Sequence, residues 1–159
     1  MKPWRERPAD VARLLNPAFC GRLLVHAAVE HRPHALPFAL APLILPLVLH
    51  RKTRESLPTS VRSPFITWIE EHANLRIGFA DRVARSLPVT RECMLFMLSA
   101  GWLGLDGSGV FAPRPKAPTG HPLDTDEIKD CVLKARFLGR WLSRAGRPAT
   151  IYAALAITP

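Results

Sequence analysis

Apolar residues fall in blocks along the chain, and most blocks have the period of an α-helix. Asn16-Pro17 predicts the first start: the Asn side chain caps free N–H groups, and Pro17 suits the first helical position. The helix is expected to run to about Glu30, with Phe19, Leu23 and Leu24 facing inward. Ala35 to Leu49 breaks the pattern because it is apolar on every side. It is shorter than the ~20 apolar residues a spanning helix needs, and Pro37, Pro42 and Pro46 interrupt it, so it reads as a central core element rather than a membrane span. Arg51, Lys52 and Arg54 follow at once, where a helix C-terminus would favour cations. Ser63-Pro64 repeats the starting device ahead of Phe65, Ile66, Trp68 and Ile69. A helix from about Asn74 to Leu87 places Leu75, Phe79, Val83 and Leu87 on one face, with Arg76, Arg82 and Arg85 away from it. Pro88 is expected to stop it.

Thr90 is then expected to cap a short helix, and Gly101 to end it. Trp102–Leu105 and Val110–Phe111 flank Asp106-Gly107-Ser108-Gly109, a strand, tight turn and strand. A short helix running into a hairpin reads as a winged helix. Asp124 with Glu127 has the form of a capping box, opening a helix to about Ala145 that ends at Gly146 and Pro148. Its apolar stripe is Ile128, Cys131, Ala135, Leu138 and Leu142. Lys129, Arg136, Arg140 and Arg147 are expected on the opposite side, and the tail from Ala149 reads as a helical turn packed on the domain. The fold class is therefore mainly α, a helical domain with a winged-helix-like portion. One domain spans 1–159: a helical part at 10–88, a winged-helix-like segment at 89–112, a linker at 113–122, and an amphipathic helix and tail at 123–159.

Composition narrows the function. With 159 residues and 48% hydrophobic side chains, the chain has material for one core. A net charge of +9 points to an acidic partner or to nucleic acid. The three cysteines, Cys20, Cys93 and Cys131, are scattered, and the N-terminus lacks the apolar centre of a secretion signal; both suit a reduced, cytoplasmic protein. His26, His31 and His34 lie near Glu30, but Pro33 breaks the helix between them and no cysteine adjoins, so no metal is expected. Glu70, Glu71 and His72 are adjacent helical residues that point apart. The Gly-rich turn lacks the Lys-Ser/Thr ending of a phosphate loop. No catalytic residue or cofactor is expected. The pre-wing helix, Arg91 to Leu98, offers almost nothing after Glu92 that could hydrogen-bond a base edge. That weighs against the alternative of a free-standing winged-helix DNA-binding regulator. Lys129, Arg136, Arg140 and Arg147 could meet phosphates without reading sequence, or an acidic protein face.

The succession "NPAF", "LPLVLHRKTRESLP", "TRECMLF" with "GWLGLDGSGVF", "KARFLGRWLSRAG" and "TIYAALAITP" resembles the middle components of ABC-three-component systems, over Asn16 to Pro159. The resemblance implies a small bacterial protein encoded between an SMC- or Rad50-like ABC ATPase and an effector, in anti-phage or anti-plasmid conflict of the Lamassu kind. It implies a non-enzymatic adaptor that bridges or regulates the two, and the positive charge of the chain suits an assembly that holds DNA. The matching positions, His50, Arg51, Thr53, Arg54, Glu55, Thr90, Arg91 and Glu92, become candidates for fold or interface roles.

Overall fold

The computed structural model describes residue 6 and residues 15–113, 117–119 and 124–157. Most of the expected linker 113–122, and positions 10–14 of the helical part, lie outside the described residues.

Helix α1 (Pro17–Glu30) begins as expected: the Asn16 side chain accepts from the Ala18 N–H at 2.8 Å. It buries Cys20, Leu23, Leu24, Ala27 and Ala28, and it packs against two other long helices, α5 and α6. Both crossings need a residue without a side chain. At Gly21 a Cβ would meet the Met97 side chain of α5. Gly139 of α6 lies against the Ala27 backbone carbonyl, leaving no room for a Cβ.

The apolar block forms a 3-10 turn (Phe38–Leu40) and α2 (Ala41–Leu49). Leu43, Ile44, Leu45, Leu47 and Val48 are all buried, because α2 touches α1, α5 and α6 at once. Its central position explains why it shows no polar face. The basic residues after it are placed differently from the expectation. The chain turns at His50, and Arg51, Lys52 and Arg54 belong to a separate short helix, α3 (Arg51–Ser56). His50 caps that helix through Nδ1, which accepts from the Thr53 N–H at 3.3 Å.

Helix α4 (Phe65–Glu71) and a 3-10 turn (Ala73–Arg76) follow. Gly78, at φ +66°, then breaks the chain before α5 (Phe79–Ser99). The helix expected from Asn74 therefore starts later, and it does not stop at Pro88 but passes through it. Pro88 and Ala84 both face solvent, so water can take the Ala84 carbonyl that the missing proline N–H leaves free. Thr90 is accordingly no cap: it is buried mid-helix, and its hydroxyl donates to the Ser86 carbonyl at 3.0 Å.

Gly101, at φ +69°, ends α5, with the Trp102 and Leu103 N–H groups both reaching the Met97 carbonyl. Strands β1 (Gly104–Asp106) and β2 (Gly109–Phe111) pair antiparallel, Leu105 opposite Val110. Asp106 accepts from the Ser108 and Gly109 N–H groups and fixes the turn. Leu36 bridges to Val110 through two backbone bonds, adding an extended residue beside β2. The hairpin is thus tied to the segment between α1 and α2. Helix α6 (Asp126–Leu142) is capped by Thr125, whose hydroxyl accepts from the Ile128 N–H at 3.3 Å, and not by Asp124. The tail forms α7 (Pro148–Ala154), held by buried Ile151 and Leu155 and by the Tyr152 hydroxyl donating to the Ala39 carbonyl at 2.6 Å. Among the described residues no helix is long and apolar enough to cross a membrane.

Candidate partner interface

The triplet at 53–55 divides between interior and surface. Arg54 is buried, its side chain only 4% exposed. Its fork donates to three acceptors: Nε to Asp130 Oδ2 at 2.7 Å, one terminal nitrogen to the Val48 carbonyl at 2.9 Å, and the other to Glu127 Oε1 at 3.0 Å. Arg54 therefore satisfies a carbonyl at the end of α2 and ties α2 and α3 to the start of α6. Burial works against its charge, and the Asp130 and Glu127 hydrogen bonds outweigh it, so its pKa is raised. Thr53 is buried as well and bonds His50 Nδ1 through its hydroxyl at 2.7 Å. Since that nitrogen accepts from the Thr53 N–H, the ring that caps α3 is the neutral one. Burial, then the Arg82 and Lys52 charges, hold His50 below its ordinary pKa, which favours the same form. Arg51 and Glu55 face solvent and pair with each other at 2.7 Å.

The second triplet has a different setting. Thr90 is buried, Arg91 is exposed and Glu92 is half-buried on α5. The two triplets share a sequence but not a structural role, one making up the second half of a short helix that His50 caps and the other sitting inside a long one. Beyond Arg91 the outer face of α5 presents Leu95 and Phe96, 67% and 46% exposed, while Cys93, Met94 and Met97 point inward. Leu105 of the hairpin is exposed too. An outer face of this kind suits an apolar protein surface better than a DNA groove.

The basic stripe of α6 is less free than its spacing implies. Arg136 and Arg140 both reach Glu30 at the end of α1, each at 2.9 Å. Burial pushes the Glu30 carboxyl up, but the two guanidiniums together hold it below the ordinary value. Lys129 pairs with Asp126 at 3.1 Å, and Arg147 is exposed just before α7.

The histidine cluster does not converge. His31 Nδ1 bonds the His34 carbonyl at 3.2 Å. His26 is pushed down to about 4, by burial first and then by Arg22 and Arg136. Among the described residues no group of three or more His, Cys, Asp or Glu could hold a metal ion.

Sequence patterning missed two features. One is a groove of about 900 Å3 between the starts of α1 and α6 and the end of α2, with Phe19, Leu49, Ile128 and Cys131 in its walls. The pairs Arg22–Asp124, at 2.8 Å, and Arg54–Glu127 stand among its lining residues. No local signal pairs Arg22 with Asp124, because the contact joins distant parts of the chain. The other is the aromatic cluster of Phe65, Trp68, Phe137 and Trp141, in which the Phe65 and Trp141 rings lie 5.0 Å apart. Phe137 and Trp141 fall outside the apolar stripe read on α6, yet both are buried, Trp141 against Phe65 and Trp68 of α4.

A family model described as ABC-three component (ABC-3C) system Middle Component 3 matches residues 4–159. No curated protein and no solved structure matches the chain.

Proposed function

Because the chain belongs to the middle component 3 family of ABC-three-component systems, we propose that it is the non-catalytic adaptor of a bacterial defence complex. In this proposal it bridges an SMC- or Rad50-like ABC ATPase and an effector in the cytoplasm, against phage or plasmids, as Lamassu-type systems do. Family membership itself implies association with the other components of such a system. The observation that carries the proposal is the extent of the match, residues 4 to 159, so the helices and hairpin described above belong to the middle-component module.

The geometry supports an adaptor. The buried polar residues Thr53, Arg54 and Thr90 are taken up in holding helices, whereas Leu95, Phe96 and Leu105 stand uncovered. His50, Arg51, Glu55, Arg91 and Glu92 remain accessible enough to touch a partner; Thr53, Arg54 and Thr90 shape that surface from behind. A non-specific phosphate contact would rest on Lys129 and Arg147 more than on Arg136 and Arg140, which Glu30 already answers.

Co-expression with the products of the two neighbouring genes tests the proposal. A stable three-part complex is expected, with no ATPase or nuclease turnover by the isolated chain. Failure to assemble, or turnover by the pure chain, counts against it. Salt-dependent, sequence-selective duplex binding by the isolated protein would favour the regulator instead.

A further inference from the structure

A cleft of about 460 Å3 opens between the start of α4 and the end of α6, with Val61, Pro64, Phe65 and Trp141 in its walls and Arg62 and Arg144 on its lining. Its walls are fixed. The Trp141 indole N–H donates to the Ser63 carbonyl at 2.7 Å, and the Trp141 ring packs on Phe65 and, edge-on at 5.2 Å, on Trp68. Among the described residues, no acidic side chain lines it. Arg62 and Arg144 are exposed and make no ion pair with any described residue. That sets them apart from Arg22, Arg51, Arg54, Arg136 and Arg140, each of which a carboxylate already answers.

We propose that this cleft is the docking point for a short acidic segment of a partner subunit, one or two carboxylates meeting Arg62 and Arg144 while a neighbouring apolar side chain enters between them. Guanidiniums match carboxylates in planar, paired hydrogen bonds. A nucleic-acid backbone presents a row of phosphates and calls for a row of cations. Two arginines above apolar walls in a concave site suit a mixed acidic and apolar peptide instead. The proposal rests on the adaptor function above and deepens it by naming where a partner binds and what chemistry that partner carries.

The test uses the full chain and three probes: an acetylated peptide of alternating Asp/Glu and Phe/Leu, its Asn/Gln counterpart, and a short DNA duplex. The acidic peptide is expected to shift the NMR signals of the Arg62 and Arg144 Nε–H groups and of the Trp141 indole N–H, and the amide peptide to leave them in place. The double variant Arg62→Glu/Arg144→Glu should weaken peptide binding roughly tenfold or more with an unchanged Tm, since both side chains lie at the surface. The same shifts from the duplex with none from the peptide would overturn the proposal in favour of a phosphate ligand. No shift from any probe would overturn it outright. In the co-expressed complex, wild type that assembles while the double variant assembles equally well refutes the cleft and leaves the adaptor standing. Wild type that does not assemble refutes the adaptor, whatever the peptides do.

Discussion

Replacing Arg54 by Ala removes one side chain and strands three acceptors. Removing one partner of a fully buried ion pair costs about 3–5 kcal/mol. Here the guanidinium is buried, but the Glu127 and Asp130 side chains are 69% and 44% exposed and can rehydrate. Most of the penalty for orphaned carboxylates therefore disappears. The Val48 carbonyl at the end of α2 has no such escape, and losing its partner costs about 1–3 kcal/mol. The buried stem of Arg54 adds lost packing. Arg54→Ala should therefore destabilise by about 2–3 kcal/mol, lowering Tm by roughly 4–12 °C for a chain of this size. Thermal and urea unfolding followed by far-ultraviolet circular dichroism measure it. Arg54→Met keeps most of the stem and loses the fork, so it should recover only the packing share. Arg54→Lys, with one ammonium in place of a planar fork, should fall between wild type and Ala. An Ala variant within about 0.5 kcal/mol of wild type, the range of an ordinary surface change, would refute the assignment of Arg54 as the tie between α2, α3 and α6.

Gly139→Ala should destabilise by about 1–3 kcal/mol, because its Cβ would meet the rigid Ala27 carbonyl. Gly21→Ala should cost less, since it meets the flexible Met97 side chain; urea midpoints compare the two. His26 and His50 both fold as neutral imidazoles with pKa values below the ordinary 6.5, His26 near 4. Their contribution to stability is whole above about 6.5 and is lost as pH falls through the folded values. The unfolding midpoint should therefore decline between pH 6.5 and 4, and His26→Gln should flatten that decline; an unchanged slope would reject the assignment. Glu30→Gln should release Arg136 and Arg140 and cost about 1 kcal/mol or less, the difference shrinking as salt is raised. Leu95→Asp with Phe96→Asp should leave Tm close to wild type and abolish assembly with the partner components; a complex of undiminished affinity would remove the outer face of α5 from the interface.

Elements governed by local rules were legible in the sequence. The Asn16 cap, the all-round apolar α2, the Gly101 stop and the hairpin about Asp106-Gly107 follow from spacing and turn chemistry. Elements governed by what faces water were not. Pro88 reads as a stop until the solvent exposure of Ala84 and Pro88 shows how a helix can carry it. Arg54 reads as one of three cations after an apolar run, and nothing nearby reveals that Asp130 and Glu127, more than seventy positions later, will close over it. The basic stripe of α6 was visible as a pattern, but its partner Glu30 lies on another helix, so its neutralisation was not. The cleft at Arg62 and Arg144 joins a loop to a helix end and has no sequence signature.

The contact between the Trp68 and Trp141 indoles, 5.2 Å apart at 81°, has an optical consequence. Two chromophores held so close couple their intense far-ultraviolet transitions, and the pair should give a split circular-dichroism band there, on the flank of the helix signal, that neither ring gives alone. The band would vanish in a Trp68→Phe variant even where the helices persist. It would thus gauge how tightly α4 sits on α6, with no label attached.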